Sequence, residues 1–494
     1  MQLLEQVMLP HPFWRYFEIF RRRPFAFLLD SASELDGASA YSFMGADPTG
    51  VYEARRLRGD PGRRAIVHTT VRGDDGRSAS SAFVGDPFVE LRSFLEHLCP
   101  HELPLAERPA PFLGGAVGYF GYEAGYFVEE LPDTGADDLR LPEIRFGVFD
   151  CVLAHEHASN ATYLAVLGRG RDERAARRNA ARLLKRSHTE IAEFGARWRE
   201  PEFEAEKRIP TDASLAIGGH FDRASYEAAV VRCKEHIVRG DAYEICLTHR
   251  LEVPFRGDPW SLYRELRAVS PSPFACYLRL LGAEVVCSSP ERFLRLATDR
   301  LVESRPIKGT RPRGASPAAD AELRADLESS IKDRAENLMI VDLVRNDLGR
   351  VCEIGSVEAS QLLAVKSYAT VFQLTSTIQG VLGAEFDGID LVRAAFPGGS
   401  MTGAPKIEAM KIIDRLEPVK RGIYSGSIGY IDFSGALDLN IVIRTLLVQR
   451  GLCTFSVGGA VVADSDPAAE YDETMDKARA LRLALAGVAA GTNR

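Results

Sequence analysis

The sequence predicts an α+β fold. Long hairpin patterns are mixed with amphipathic helical stretches, which favours α+β over a parallel sheet. The chain has 494 residues and is 46% hydrophobic, enough for one very large core or two to three ordinary ones.

Residues 1–195 alternate short strand-like runs with turns, as in Tyr41–Gly45, Ala65–Val71 and Ile144–Leu153. Arg171–Arg186 is helix-like and strongly basic, the pattern of a solvated helix face. Residues 196–220 are polar, with Pro201, Pro210 and Gly218-Gly219, and mark a linker or lobe boundary. The division is thus an N-terminal lobe over 1–200 and a second unit over 215–494. In the second unit Ser225–Arg239 is helical, with Tyr226, Ala229, Val230, Cys233 and Ile237 on one face. Tyr243–Leu251 follows as a strand and Trp260–Val269 as a helix. Phe274–Leu280 and Glu284–Ser288 form a hairpin across Gly282, and Ala436–Arg450 and Leu452–Ala463 another across Gly451. Helices are predicted over Ala321–Asn346, Pro405–Leu416 and Ala468–Ala486.

A formal charge of −8 argues against nucleic acid as the main partner, because phosphate binding needs a basic face. No run approaches 18 uninterrupted apolar residues, so no membrane span is expected, and Met1–Glu5 lacks the pattern of a secretion signal. The eight cysteines form no CxxC pair and suit buried thiols in a reducing, cytoplasmic compartment. All ten histidines lie at or before His249. Chemistry in the C-terminal half must therefore use carboxylates, lysine or hydroxyls.

Several patterns there could carry such chemistry. Asp333 with Glu336, and Glu470 with Glu473, are acid pairs at i, i+3, each on one helix face. Converging, they would make an oxygen cage suited to Mg²⁺; apart, they are solvated faces, with Lys477 a surface partner for Glu473. Phe396–Lys406 is a glycine-rich loop leading to a proline at a helix start, either an anion site or a tight, well-capped turn. Alternation along Ala436–Arg450 puts Asp438, Asn440, Val442 and Arg444 on one face. Arg444 in so apolar a strand implies a partner, either a substrate carboxylate or a structural acid. Lys308, between Ile307 and Gly309, is either a solvated loop lysine or one desolvated into a nucleophile.

Six ordered motifs resemble the chorismate-utilising enzymes, the family of the large subunits of anthranilate synthase and aminodeoxychorismate synthase and of the isochorismate and salicylate synthases. They are Ser288–Phe293, Pro306–Thr310, Glu336–Asp347, Gly399–Lys406 with Tyr424-Ser425-Gly426, Ile443-Arg444-Thr445, and Glu470–Leu481. Tyr41–Gly45 and Gly114–Tyr119 resemble the first lobe of anthranilate synthase component I. The resemblance implies a two-lobed, layered α/β/β/α sandwich of large, mainly antiparallel sheets with outer helices, the second unit being the chorismate-binding catalytic domain. Isochorismate and salicylate synthases carry a water-activating lysine where this chain has Glu244, and anthranilate synthases an alanine where it has Lys308. The lysine form resembles aminodeoxychorismate synthase, on the route to 4-aminobenzoate and folate.

That branch implies roles for particular residues. Neutral Lys308 would attack C2 of chorismate as the C4 hydroxyl leaves, with Glu291 as the acid/base. Asp333, Glu336, Glu470 and Glu473 match a Mg²⁺ site holding the ring carboxylate. Tyr424 and Arg444 match the grip on the enolpyruvyl carboxylate, with Ser400 and Gly458 nearby; Lys477 matches a family lysine close to the metal, and Thr310 is a further substrate-binding candidate. Ammonia would come from a glutamine amidotransferase subunit or from solution, since no Gly-x-Cys-x-Gly nucleophile turn is present. Leu28–Ser31 resembles a strand that lines a tryptophan pocket in relatives. Three positions depart from the family. No histidine precedes Leu374-Thr375-Ser376, Ala460 replaces a glycine, and Asp333 a longer glutamate. The alternatives are another aminating chorismate enzyme, such as anthranilate synthase, and a relative that binds chorismate without turning it over.

Overall fold

The computed structural model describes residues 1–494 apart from 33–39, 61, 74–76, 101–107, 199–216, 369–370 and 492–494. Two twelve-stranded sheets make up its centre, and each is two contiguous blocks of strands, one from each half of the sequence, joined side by side. In the first sheet Phe27–Asp30 pairs antiparallel with Phe274–Leu280. In the second, Gly115–Phe120 pairs antiparallel with Ser427–Asp432. Segments 1–200 and 215–494 therefore both build each sheet, and most of the linker expected at 196–220 lies outside the described residues.

Three apolar clusters define the layers. One joins Phe27, Cys276 and Val285 of the first sheet to Val117, Tyr430 and Ile428 of the second, filling the space between them. Another packs helices Glu173–Arg197, Pro259–Val269 and Pro467–Gly491 on the outer face of the first sheet. The third packs helices Pro87–Leu98, Ile331–Gly349 and Gly388–Ala395 on the outer face of the second. The result is the layered α/β/β/α sandwich. Among the described residues no helix is long and apolar enough to cross a membrane. All eight cysteines are free thiols.

Three elements differ from the sequence reading. The helix expected over Ala321–Asn346 is two helices, Pro317–Ser329 and Ile331–Gly349. Ser330 ends the first and caps the second, its hydroxyl accepting from the Asp333 amide at 3.2 Å. The run Ile144–Leu153 is split into Ile144–Phe149 and Cys151–Glu156, with the Asp150 carboxylate between them bound to Thr49 and Arg169. The run Ala436–Arg450 is also two strands. Leu437–Asn440 belongs to the second sheet and Thr445–Gln449 to the first. Residues 441–444 carry the chain across, and Arg444 takes a left-handed φ of 50°. It therefore does not share a strand face with Asp438, Asn440 and Val442.

A second crossing lies beside this one. Ala283–Ser289 is in the first sheet and Arg292–Leu296 in the second, so Pro290 and Glu291 also bridge the layers. The Ser289 hydroxyl donates to the Ile441 carbonyl at 2.5 Å, and the Ile441 amide to the Glu291 carbonyl at 3.0 Å. The two crossings are thus stitched to each other, with Glu291 on one and Arg444 on the other.

Candidate active site

Lys308 lies on strand Ile307–Pro312 at the edge of the second sheet, where an irregularity at Gly309 interrupts the pairing with strand Val371–Val381. Its ammonium donates to Glu244 Oε1 at 2.9 Å and stands 3.6 Å from Glu336 Oε2. Glu244 opens strand Glu244–Pro254 of the first sheet, and Glu336 comes from helix Ile331–Gly349. The lysine thus spans the gap between the layers. Burial alone would expel its proton, but Glu244 and Glu336 outweigh burial and raise its pKa above the ordinary lysine value. The neutral amine expected from the sequence is therefore corrected. Lys308 rests as an ammonium, and a nucleophilic role needs a proton acceptor. Glu244, noted from sequence only as a residue that is not lysine, is that acceptor in reach.

Glu291 is buried on its crossing. The Ser400 hydroxyl donates to its Oε1 at 2.8 Å. Burial pushes its pKa up to about 7, although Ser400, Lys308, the Ile307 amide and Arg444 all favour its charged form. Half-protonated near neutrality, it can act as an acid. Arg444 is half-buried, and desolvation lowers its pKa, with Glu291 the acid whose field reaches it. Among the described residues it makes no ion pair. Tyr424 packs against the cluster on the outer face of the second sheet, next to the Ser425 turn, whose amide donates to the Val442 carbonyl at 2.8 Å.

Helix Pro467–Gly491 brings two more acids to strand Leu452–Val461. A Cβ on Gly459 would lie 2.7 Å from Glu470 Oε2 and 3.9 Å from Glu473 Oε1, so both carboxylates lean over that glycine. The Lys477 ammonium donates to the Gly458 carbonyl at 2.9 Å and pairs with Glu473 at 2.7 Å. Burial raises the pKa of Glu470 and Glu336; at Glu473 burial is outweighed by Lys477, with Lys332 and Lys308 adding to it. Glu336 Oε1 and Glu470 Oε2 are buried with no hydrogen-bond partner. Such orphaned oxygens are what a hard cation would satisfy. Asp333 stands apart from this set. Its shorter carboxylate pairs with Arg311 at 3.0 Å. Thr310 is solvent-exposed.

Other features sit outside this cluster. Asp138, His220 and Glu252 bring ligand-type atoms within 4.8 Å of one another, but Arg250 bonds Asp138 and His220 and already supplies a cation there. Leu29 and Asp30 line an inter-sheet cavity of about 120 Å³, together with Phe274, Arg295, Tyr430 and Asn440. The Asp30 carboxylate is engaged by Tyr263 at 2.8 Å and Arg267 at 2.6 Å. Gln373 stands just before the Leu-x-Ser run, buried, with its amide oxygen unpartnered. Ala460 pairs with Cys246, two residues beyond Glu244.

The chemistry present is a half-buried lysine between two carboxylates, a protonatable glutamate, an arginine without an ion pair among the described residues and a group of acids. Fold and site together define a two-sheet enzyme scaffold. Residues 61–482 match the model of the chorismate binding enzyme family. The chain is 44% identical over 482 residues to an aminodeoxychorismate synthase of Streptomyces pristinaespiralis, covering 96% of this chain and 64% of that one. It is 36% identical over 462 residues to aminodeoxychorismate synthase component 1 of Salmonella typhimurium, covering 94% and 93%. The chain thus spans less than two thirds of the length of the Streptomyces relative. Its structure superposes on anthranilate synthase component I from Streptococcus pneumoniae with a TM-score of 0.74 at 27% identity, covering 91% and 93% of the two chains. The chain belongs to the chorismate binding enzyme family.

Proposed function

We propose that this protein aminates chorismate to 4-amino-4-deoxychorismate, using ammonia from a glutamine amidotransferase partner or from solution. One observation carries the reading: Lys308 reaches into the gap between the sheets against Glu244, with Glu291 and an unpaired Arg444 at the stitched crossings. The names of the Streptomyces and Salmonella relatives support it.

In this reading Glu244 takes a proton from Lys308, whose amine then attacks C2. Both ring double bonds shift, from C1=C2 and C5=C6 to C1=C6 and C4=C5, the C4–oxygen bond breaks, and Glu291 protonates the departing hydroxyl so that it leaves as water. Ammonia then adds at C4, the double bonds shift back and the C2–lysine bond breaks. Lys308 regains its proton from Glu244, and the new ammonium returns one to Glu291. The balance is chorismate plus ammonia to aminodeoxychorismate plus water. Arg444 and Tyr424 hold the enolpyruvyl carboxylate, with Ser400 orienting Glu291. Gly458 leaves space beside the ring, and Lys477 fixes Glu473. Glu336, Glu470 and Glu473 would hold Mg²⁺, with Asp333 and Thr310 at the periphery. When bound, the ion neutralises the ring carboxylate. A tryptophan-like ligand belongs to the cavity beside Leu29 and Asp30, supported by its volume and by Arg295 and Asn440 on its wall.

Purified protein given chorismate, Mg²⁺ and an ammonium salt is expected to form 4-amino-4-deoxychorismate, identified by mass spectrometry; anthranilate as the main product would favour the alternative aminating enzyme. Lys308→Ala should lose the 4-amino product by about 10²-fold or more, and a wild-type rate in this variant would overturn the nucleophile assignment. Because Glu291 must be protonated to act as acid, single-turnover loss of the hydroxyl should slow as pH rises through about 7. Glu291→Gln should abolish that limb and lower the rate by about 10²-fold or more. Glu473→Gln should weaken Mg²⁺ binding by about tenfold or more in calorimetry; unchanged affinity would remove it from the metal set. Tryptophan should raise the melting temperature of the wild type and not that of an Asn440→Leu variant; an unchanged wild-type melting temperature would leave the cavity without that ligand.

A further inference from the structure

Arg421 lies between the elements just described without touching the gap itself, and it is 4% exposed. Its guanidinium has five N–H donors in one plane, and all five are used. Nε donates to Glu417 Oε2 at 2.9 Å and Nη2 to Glu417 Oε1 at 2.7 Å, a two-point fork. Nη1 donates to the Met401 carbonyl at 2.7 Å and to the Ser425 hydroxyl at 3.3 Å, and Nη2 to the Cys246 carbonyl at 2.7 Å. The guanidinium lies 4.3 Å from the centre of the Tyr122 ring. Glu417 is shared in turn, since its Oε1 accepts from the Thr248 amide at 2.8 Å and hydroxyl at 3.0 Å.

The three segments that Arg421 ties together are the ones that carry the working groups. Met401 follows Ser400, the hydroxyl on Glu291. Ser425 follows Tyr424. Cys246 is two residues beyond Glu244, the acid on Lys308. We propose that Arg421, locked by Glu417, is a positioning residue that sets the spacing between the Glu291–Ser400 side of the site and the Lys308–Glu244 side. The inference deepens the proposed function and rests on it. A displacement of about 1 Å between reacting groups can cost about 10²-fold in rate. A lysine cannot replace the fork, because its three donors radiate from one atom.

The test compares wild type, Arg421→Lys, Arg421→Ala and Glu417→Gln, with Mg²⁺, ammonium and chorismate, and reads chorismate consumption. A wild type that consumes chorismate to another product fails the reading of the reaction yet still serves this comparison. A wild type that consumes none leaves amide exchange to decide. In Arg421→Lys, kcat should fall about 10²-fold while KM for chorismate changes only a few-fold and circular dichroism stays native. Added guanidinium should restore about tenfold or more of kcat to Arg421→Ala and none to Lys308→Ala. Amide exchange in Arg421→Lys should rise at residues 246, 401 and 425 together. The proposal is overturned by wild-type kcat in Arg421→Lys, by losses in Arg421→Ala that only track the folded fraction with no rescue, or by exchange that rises at one of the three segments alone.

Discussion

The site depends on two places where the backbone leaves one sheet and enters the other. A strand within a sheet alternates its side chains and satisfies its amides sideways. A segment passing between sheets can do neither and must find other partners. Here the two passing segments solve the problem for each other, through the Ser289 hydroxyl on the Ile441 carbonyl and the Ile441 amide on the Glu291 carbonyl. Glu291 and Arg444 are consequently held in the apolar space between the layers. Burial raises the carboxyl's pKa to about 7, and the half-buried guanidinium makes no ion pair among the described residues.

Charge in this space is arranged around Lys308. A lone buried ammonium would lose its proton, and a lone buried carboxylate would gain one. Glu244 and Glu336 reverse the first tendency, so the lysine contributes a cation at rest. Lys477 reverses the second at Glu473, favouring its charged form, while Glu336 and Glu470 keep buried oxygens with no hydrogen-bond partner among the described residues.

Much of this was legible in the sequence, and the gaps have physical causes. The hairpin Phe274–Leu280 with Ala283–Ser289, the helices about 225–238 and 259–269, and the layered sandwich agree with the structure. The crossing at 441–444 was invisible because apolar alternation continues on both sides of it, and a pattern with period two does not say which sheet a strand joins. The break at Ser330 was signalled by Ser329-Ser330 inside an otherwise helical run, since serine caps better than it propagates. The nearness of Lys308, Glu291 and Glu336 could be anticipated from motifs, but the charge on Lys308 could not, because Glu244 is 64 residues away in sequence. Arg421 and Glu417 were missed for a similar reason. An Arg–Glu pair four residues apart reads as a surface ion pair, and only the packing shows it enclosed.

The seam between the halves, one strand pair in each sheet, has a consequence for how the molecule holds together. Phe27–Asp30 covers one side of Phe274–Leu280, and Gly115–Phe120 covers one side of Ser427–Asp432. Each portion keeps the ladder within its own block of strands, but alone it would leave the edge at this seam unpaired in both sheets. A nick between the portions would leave a non-covalent pair of fragments that stay associated, whereas separate synthesis of either fragment would yield exposed ladder edges prone to self-pairing. Both sheets therefore run across the division that the loop composition suggests.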